Sequence, residues 1–211
     1  RPAGILTSPL EHPAVLAAAR QLAREGHPLA FVAVDTRGRI EPDALIAALR
    51  GRDDLGVVSL AAANHVLGNA YDIPALVRAT RETAPHALFH CDAVQAMGKL
   101  PIDFKAWDLD LLSVSSHKIY GRRLTLQPIL HGGAQERGRR AGTESVAAIA
   151  GFGVAARLAA EELSARRTHA VALVARLRSG LGDMPGVTLH GDPERSAGTT
   201  ALVITDANAR P

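Results

Sequence analysis

Short apolar runs alternate with amphipathic segments over the first 114 residues, and this alternation constrains the fold more than any other feature. We predict strands at 1–7, 28–34, 55–63, 87–91 and 109–114, and helices at 14–25, 42–50 and 72–84. The run 55–63 is apolar throughout, which is typical of a parallel strand covered on both faces. Strands that alternate with helices predict an α/β fold built on a mainly parallel, doubly wound sheet.

The pattern changes after Gly121, where a loop rich in glycine and arginine covers residues 131–144. We predict that Thr143 caps a long helix running from Glu144 to about Arg167, and that a second helical segment ends at Gly182. Short strands at 187–190 and 200–204 indicate part of a smaller C-terminal α/β domain. We therefore divide the chain into a large domain, residues 1–150, and an incomplete small domain, residues 151–211.

Composition excludes several classes of function. The 211 residues are 47% hydrophobic, enough for a sizeable core, and the net charge is +3 without a long basic block, so we expect no nucleic-acid partner. No apolar run has the length of a membrane span, no secretory signal opens the chain, and we expect no membrane association. A single cysteine, Cys91, excludes an internal disulfide framework and a cysteine-rich metal site, so we expect a cytoplasmic protein without a metal.

Polar side chains follow three of the predicted strands. They are Asn64 and His65, Asp92 and Gln95, and the stretch 115–118. Parallel strands joined by right-handed crossovers place their carboxyl ends at one edge of the sheet, where α/β proteins bind ligands. His12 stands before Pro13 at another strand-to-helix corner, and we predict that it caps the helix.

Lys118 leaves a buried strand, and lysines in such places are rarely buried unless they are paired or react. A desolvated lysine can form a Schiff base, for example with pyridoxal phosphate. That cofactor needs a carboxylate for its pyridine nitrogen, a hydrogen-bond donor for its ring oxygen, an aromatic ring that stacks on it and groups that bind its phosphate. Candidates for these roles are Asp92, Gln95, His12, and the group Ser115, His117 and Thr143. Each also has an ordinary explanation, such as a solvated loop lysine or a capping aspartate.

Four stretches resemble the class V aminotransferase family, and specifically its cysteine desulfurases. They are Thr-Ser-Pro-Leu-Glu-His-Pro-Ala-Val-Leu at 7–16, His-Cys-Asp-Ala-Val-Gln-Ala-Met-Gly-Lys-Leu-Pro-Ile-Asp at 90–103, Asp-Leu-Leu-Ser-Val-Ser-Ser-His-Lys-Ile-Tyr-Gly at 110–121 and His-Gly-Gly-Ala-Gln-Glu-Arg-Gly-Arg-Arg-Ala-Gly-Thr-Glu at 131–144. The resemblance covers about residues 5–203 and implies the pyridoxal-phosphate fold type I.

The resemblance also implies a role for each matching position. Lys118 would bind the cofactor covalently and move protons, and His12 would stack on the cofactor and act in acid-base steps. Asp92 would pair with the pyridine nitrogen and Gln95 with the ring oxygen. The phosphate would be held by Ser115 and His117, with the Thr143 region reaching the neighbouring subunit of a homodimer.

Three departures from the family pattern affect the interpretation. The family's catalytic cysteine lies beyond the end of this chain, and Cys91 stands inside a predicted strand as inert packing. An early segment and a glycine-rich strand after Gly121 are absent, which we interpret as the chain being part of a longer protein. His65 replaces the second asparagine of an Asn-Asn-Glu-x-Gly motif, where it could serve as a donor to the cofactor.

These features predict a cysteine desulfurase that converts L-cysteine to L-alanine and passes the sulfur on as a persulfide for iron–sulfur cluster or other sulfur-cofactor assembly, with a sulfur-acceptor protein as a partner. A lyase acting on selenocysteine or another C–S substrate is a second possibility. A catalytically degenerate relative serving as a scaffold or partner subunit is a third. A plain nucleotide-binding domain is disfavoured, because neither a G-x-G-x-x-G nor a P-loop string occurs.

Overall fold

A computed structural model describes residues 3–114, 129 and 131–199, together with the backbone of 202–204. Its first part consists of β1 Gly4–Thr7, α1 Pro13–Arg24, β2 Leu29–Phe31, α2 Pro42–Leu49, β3 Leu55–Ala61, α3 Ile73–Thr83, β4 Leu88–Asp92 and β5 Leu111–Ser113. These strands form one parallel sheet in the order β2-β1-β3-β4-β5. The predicted mainly parallel α/β architecture is confirmed. The observed strands are shorter than the predicted runs because the flanking residues lie outside the ladder.

One face of this sheet packs against α2 and α3 and forms the main core. Alternate strand residues point to this face, and the fully or almost fully buried ones are Leu6, Val58, Leu60, Phe89, Cys91 and Leu112. Cys91 has no exposed surface, and its burial raises the pKa of its thiol. The thiol is therefore protonated and unreactive at neutral pH, as expected for a packing residue.

Helix α3 begins with a side-chain cap that is typical of exposed helix starts. Asp72 is the N-cap residue, and its Oδ1 accepts a hydrogen bond from the Ala75 N–H at 3.0 Å. We expect Asp72→Ala to lower the free energy of unfolding by about 1 kcal/mol, because the N–H loses its partner. Urea denaturation measures this difference, with Asp72→Asn as the control that retains an acceptor. Equal losses in the two variants would contradict the capping role.

The second part of the chain corrects one prediction. Its elements are α4 Gln135–Gly138, an irregular turn, then α5 Val146–Glu161, α6 Leu163–Leu181, β6 Val187–Leu189 and β7 Leu202–Ile204. Thr143 does not cap a helix, because α5 begins at Val146 with Ser145 as its N-cap. The predicted single helix 144–167 is also wrong, since Glu162 has φ −98° and ψ 0° and separates α5 from α6. The end at Gly182 and the two short strands, which pair antiparallel, are confirmed.

Residues 190–199 contact the loop that follows β3. Asn69 accepts a hydrogen bond from the Asp192 N–H at 2.7 Å and donates to the carbonyls of Arg37 and Gly38. Arg39 forms an ion pair of 2.6 Å with the buried Asp192 carboxylate. Gly68, with φ +73°, lies so close to the Thr199 carbonyl that a Cβ would collide with it. The C-terminal region therefore helps to hold the β3–α3 loop, which carries His65.

Candidate active site

The second face of the sheet borders a cavity of about 580 Å³ beside helix α1. Its apolar walls come from α1, β1, β3 and β5, and four of the predicted site residues line it: His12, His65, Asp92 and Gln95. They come from the β1–α1 corner, the β3–α3 loop and the end of β4. The parallel topology therefore brings together side chains that are up to 83 positions apart in the sequence, between His12 and Gln95.

Asp92 supplies a negative charge at the carboxyl end of β4. Its residue is 9% exposed, and its Oδ1 accepts a hydrogen bond from the Val94 N–H at 3.0 Å. This bond fixes the carboxylate at the start of the loop and leaves Oδ2 for a ligand. Among the described residues, no lysine, arginine or histidine lies within ion-pair distance of Asp92. A buried carboxylate that lines a cavity under these conditions is suited to a cationic ligand group.

Gln95 presents a hydrogen-bond donor from the same loop. The Lys99 ammonium donates to Gln95 Oε1 at 2.7 Å. An amide whose oxygen is occupied in this way offers its NH₂ group to a partner. Gln95 is half-buried and lines the cavity, so it can donate to an oxygen of a bound molecule.

His12 is the N-cap of α1, as the sequence predicts. The Ala14 N–H donates to His12 Nδ1 at 3.2 Å, and the ring is exposed. A nitrogen that accepts a hydrogen bond carries no proton, so the neutral ring has its proton on Nε2. The cap thus fixes the ring at the cavity and defines which nitrogen can donate.

His65 stands beside His12 in a turn held by Asn64. Asn64 Oδ1 accepts from the N–H groups of Val66 and Leu67, and its Nδ2 donates to the Leu10 carbonyl at 2.7 Å. The His12 and His65 rings meet edge to face with centroids 4.9 Å apart. Partial burial and the neighbouring His12 lower the pKa of His65. A neutral His65 can therefore act as a donor or an acceptor at this edge of the cavity.

Two polar features of the site were missed in the sequence. Glu11, beside His12, is only 3% exposed, and its Oε1 accepts a hydrogen bond from the Ala61 N–H at 3.1 Å. Glutamate is almost never fully buried without a partner, so nothing in the sequence pattern indicated its position.

The second missed feature is a hydrogen-bonded chain across three strands. His90 Nδ1 lies 2.8 Å from Ser59 Oγ, and His90 Nε2 lies 2.8 Å from Ser113 Oγ. Burial lowers the pKa of His90, so the neutral ring donates to one hydroxyl and accepts from the other. The spacing of His90 and Asp92, two residues apart on one strand, was the signal that could have placed His90 on the cavity side.

The remaining predicted site residues divide into two groups. Lys118, Ser115 and His117 lie outside the described residues. Thr143 is described, is exposed and does not line the cavity. Within the described ranges, no group of three or more His, Cys, Asp or Glu side chains is arranged to hold a metal ion. The described part of the site therefore offers an anion, an amide donor and three imidazoles, those of His12, His65 and His90, around an apolar cavity.

Comparison with known proteins gives consistent matches. The family model described as Aminotransferase class-V matches residues 3–123. The cysteine desulfurase IscS of Photobacterium profundum is 40% identical over 203 residues, which cover 90% of this chain, and NifS of Azotobacter vinelandii is 39% identical over 210 residues, 94% of this chain. A solved NifS-like protein is 32% identical over 97% of this chain and 58% of its own, with a TM-score of 0.89.

The matches cover only part of each relative. The chain spans 49% of the IscS and 51% of the NifS sequence, about half the length of these curated relatives. In the described part of the chain, no helix combines the length and the apolar character needed to cross a bilayer.

Proposed function

The chain belongs to the class V aminotransferase family, and from this premise we propose that it is part of a pyridoxal-phosphate-dependent cysteine desulfurase. Members of this family use pyridoxal 5′-phosphate, whose electron-poor ring withdraws electrons from the substrate's α-carbon. The proposed reaction takes L-cysteine and an enzyme thiol to L-alanine and an enzyme persulfide. The thiol would belong to a cysteine outside this sequence, because Cys91 is buried and protonated.

One observation carries the proposal: the Asp92 carboxylate borders the cavity without a cation among the described residues. A protonated pyridine nitrogen is a cation of the right kind for this position. A carboxylate beside it keeps the nitrogen protonated, which is the state in which the ring withdraws electrons most strongly. The free Oδ2 of Asp92 would accept from the pyridine nitrogen, and the Gln95 NH₂ group would donate to the ring oxygen.

The other side chains have distinct roles in this proposal. His12 would stack on the cofactor and offer its Nε2 proton, and His65 supports the His12 ring through an edge-to-face contact. Lys118 would bind the cofactor covalently and move a proton. Ser115 and His117 would hold the phosphate, and the Thr143 region would reach the corresponding site of a second subunit in a homodimer.

The wider context forms part of the same proposal. The sulfur goes to an acceptor protein that serves iron–sulfur cluster or other sulfur-cofactor assembly, in the cytoplasm. The division into a large domain, 1–150, and a small domain, 151–211, is also proposed. The contacts of residues 190–199 with the β3–α3 loop support a role of the small domain in shaping the site.

A degenerate relative that serves as a scaffold remains a second candidate. The observation that favours it is His65, whose ring contacts His12 at the position where the family motif has an asparagine amide. An imidazole there changes both the shape and the donor pattern of the cavity edge. A related lyase on selenocysteine or another C–S substrate would use the same residues.

The experiment adds pyridoxal phosphate to the protein in its full length and records the visible absorption band of the lysine-bound cofactor. We then supply L-cysteine and assay alanine and sulfide. A band that disappears in Lys118→Ala, followed by turnover, is the expected result. A band without turnover would favour the scaffold, and His65→Asn would then test whether an amide restores activity. The absence of a band, or a band that survives Lys118→Ala, would overturn the enzyme assignment.

A further inference from the structure

Glu11 is the most unusual polar group near the cavity. It is 97% buried, since only 3% of its surface is exposed, and it lies at the corner between β1 and α1. Its Oε1 accepts the Ala61 N–H, whereas Oε2 has no hydrogen-bond partner among the described residues. A buried carboxyl group with one oxygen unpartnered is poorly solvated, and the desolvation free energy is larger for its ionised form than for its neutral form.

The groups that face Glu11 do not compensate a negative charge. They are the Asp92 carboxylate at the end of β4, the Cys91 thiol on the same strand and the Tyr71 hydroxyl before α3. All three are acidic groups, and the Asp92 carboxylate raises the pKa of Glu11. An ionised Glu11 would therefore place two carboxylates near each other at one end of the sheet, which is unfavourable.

The position of Glu11 connects it to the site. The Glu11–Ala61 hydrogen bond and the Asn64–Leu10 hydrogen bond both join the β1–α1 corner to the end of β3. The next residue along the chain is His12, whose ring faces the cavity. Two hydrogen bonds thus hold the β1–α1 corner to the end of β3, and the acceptor in one of them is the Glu11 carboxyl group.

We propose that Glu11 is a positioning residue of this site: as a neutral carboxylic acid it ties the corner carrying His12 to the end of β3 without placing a second negative charge beside Asp92. The consequence for the cofactor rests on the proposed function, whereas the state of the Glu11 carboxyl does not. Burial, with Asp92 nearby, raises the pKa of Glu11 to about 8, which agrees with a neutral group at pH 7.

The first test reads the carboxyl group directly. In protein labelled with ¹³C at the glutamate carboxyls, the signal that Glu11→Gln removes is assigned to Glu11 and followed from pH 5 to 10. We expect the shift of a neutral acid at pH 7 and a transition near pH 8. The shift of an ionised carboxylate at pH 6–7 would overturn the proposal. Glu82→Gln, the same substitution at an exposed position of α3, removes a different signal and is the control.

The second test reads the position of His12. Long-range ¹H–¹⁵N correlation spectra report which ring nitrogen carries the proton, and we expect the Nε2–H form in the wild type and in Glu11→Gln. Glu11→Ala is expected to change the His12 signals, because the corner loses its contact with β3. Unchanged His12 signals in Glu11→Ala would overturn the positioning role. If that variant does not fold, Glu11→Asp, one methylene too short to reach Ala61, replaces it.

The third test concerns the cofactor. If the neutral form of Glu11 is the binding-competent one, about a tenth of the protein is competent one pH unit above its pKa, so the apparent Kd for pyridoxal phosphate rises about tenfold. We expect the ratio of Kd at pH 9 to Kd at pH 7 to be about tenfold larger in the wild type than in Glu11→Gln. Equal ratios would overturn the link to the cofactor. Failure of both proteins to bind pyridoxal phosphate, with a neutral Glu11 carboxyl, would instead overturn the proposed function.

Discussion

Replacing Asp92 with asparagine is expected to raise the Kd for pyridoxal phosphate by roughly 30- to 4,000-fold. The substitution keeps a side-chain oxygen that can accept from the Val94 N–H, so the loop after β4 retains its shape. It removes the negative charge that would pair with the pyridine nitrogen. Losing one partner of a buried, hydrogen-bonded charge pair costs about 2–5 kcal/mol, which corresponds to this range.

Absorbance titration with the cofactor measures this effect. Asp103→Asn is a matched control, because Asp103 is exposed and its Oδ1 accepts the backbone N–H groups of Lys105 and Ala106, which asparagine can also do. We expect the control to bind like the wild type. A Kd for Asp92→Asn within threefold of the wild type would show that Asp92 does not hold a cationic group of the cofactor.

The second large effect is a change in the pH dependence of stability in Glu11→Gln. The pKa of Glu11 is about 8 in the folded protein, against an ordinary value of 4.5. Between these values the folded state keeps a proton that the unfolded state has released, so the free energy of unfolding falls as the pH rises. The difference of about 3.5 pKa units corresponds to a loss of roughly 5 kcal/mol between pH 4.5 and 8.

Glutamine at position 11 carries no ionisable proton, so this loss is absent in the variant. We therefore expect Glu11→Gln to gain stability relative to the wild type as the pH rises from 5 to 8, with the difference levelling off above pH 8. Urea denaturation at intervals across pH 5–9 measures the two curves, and Glu82→Gln should follow the wild type. Parallel curves for Glu11→Gln and the wild type would rule out a buried, neutral Glu11.

His90 changes the stability in the opposite direction with pH and does not obscure this result. Burial lowers the pKa of His90 below its ordinary value of 6.5, so the unfolded state takes up a proton more readily below that pH. The resulting loss of stability occurs as the pH falls, on the acid side. Since His90 is present in both proteins, its contribution cancels when Glu11→Gln is compared with the wild type.

Much of the sheet could be read from local patterns. The five parallel strands and the helices between them follow from apolar runs, from amphipathic segments and from prolines at helix starts such as Pro13 and Pro42. These signals involve residues that are close in the sequence, so they can be recognised without knowledge of the tertiary structure. The N-cap role of His12 was predicted on the same basis.

The C-terminal helices show where local signals mislead. Thr143 and Ser145 are both residue types that favour the N-cap, so the sequence alone does not choose between them. In the structure α5 begins at Val146 with Ser145 as its N-cap. The break at Glu162 has no proline or glycine to mark it. A continuous run of helix-forming residues therefore predicted one helix where the structure has two.

Part of the candidate site could likewise be predicted from the sequence, and part could be seen only in the structure. Residue types at strand ends, together with the family resemblance, identified Asp92, Gln95, His12 and His65, because parallel strands must bring their carboxyl ends to one edge. The chain order could not show that the rings of His12 and His65 touch, or that Glu11 is buried beside Asp92. Those relations depend on the distance between separate loops, which is decided only when the strands pair and side chains from different elements compete for the same space.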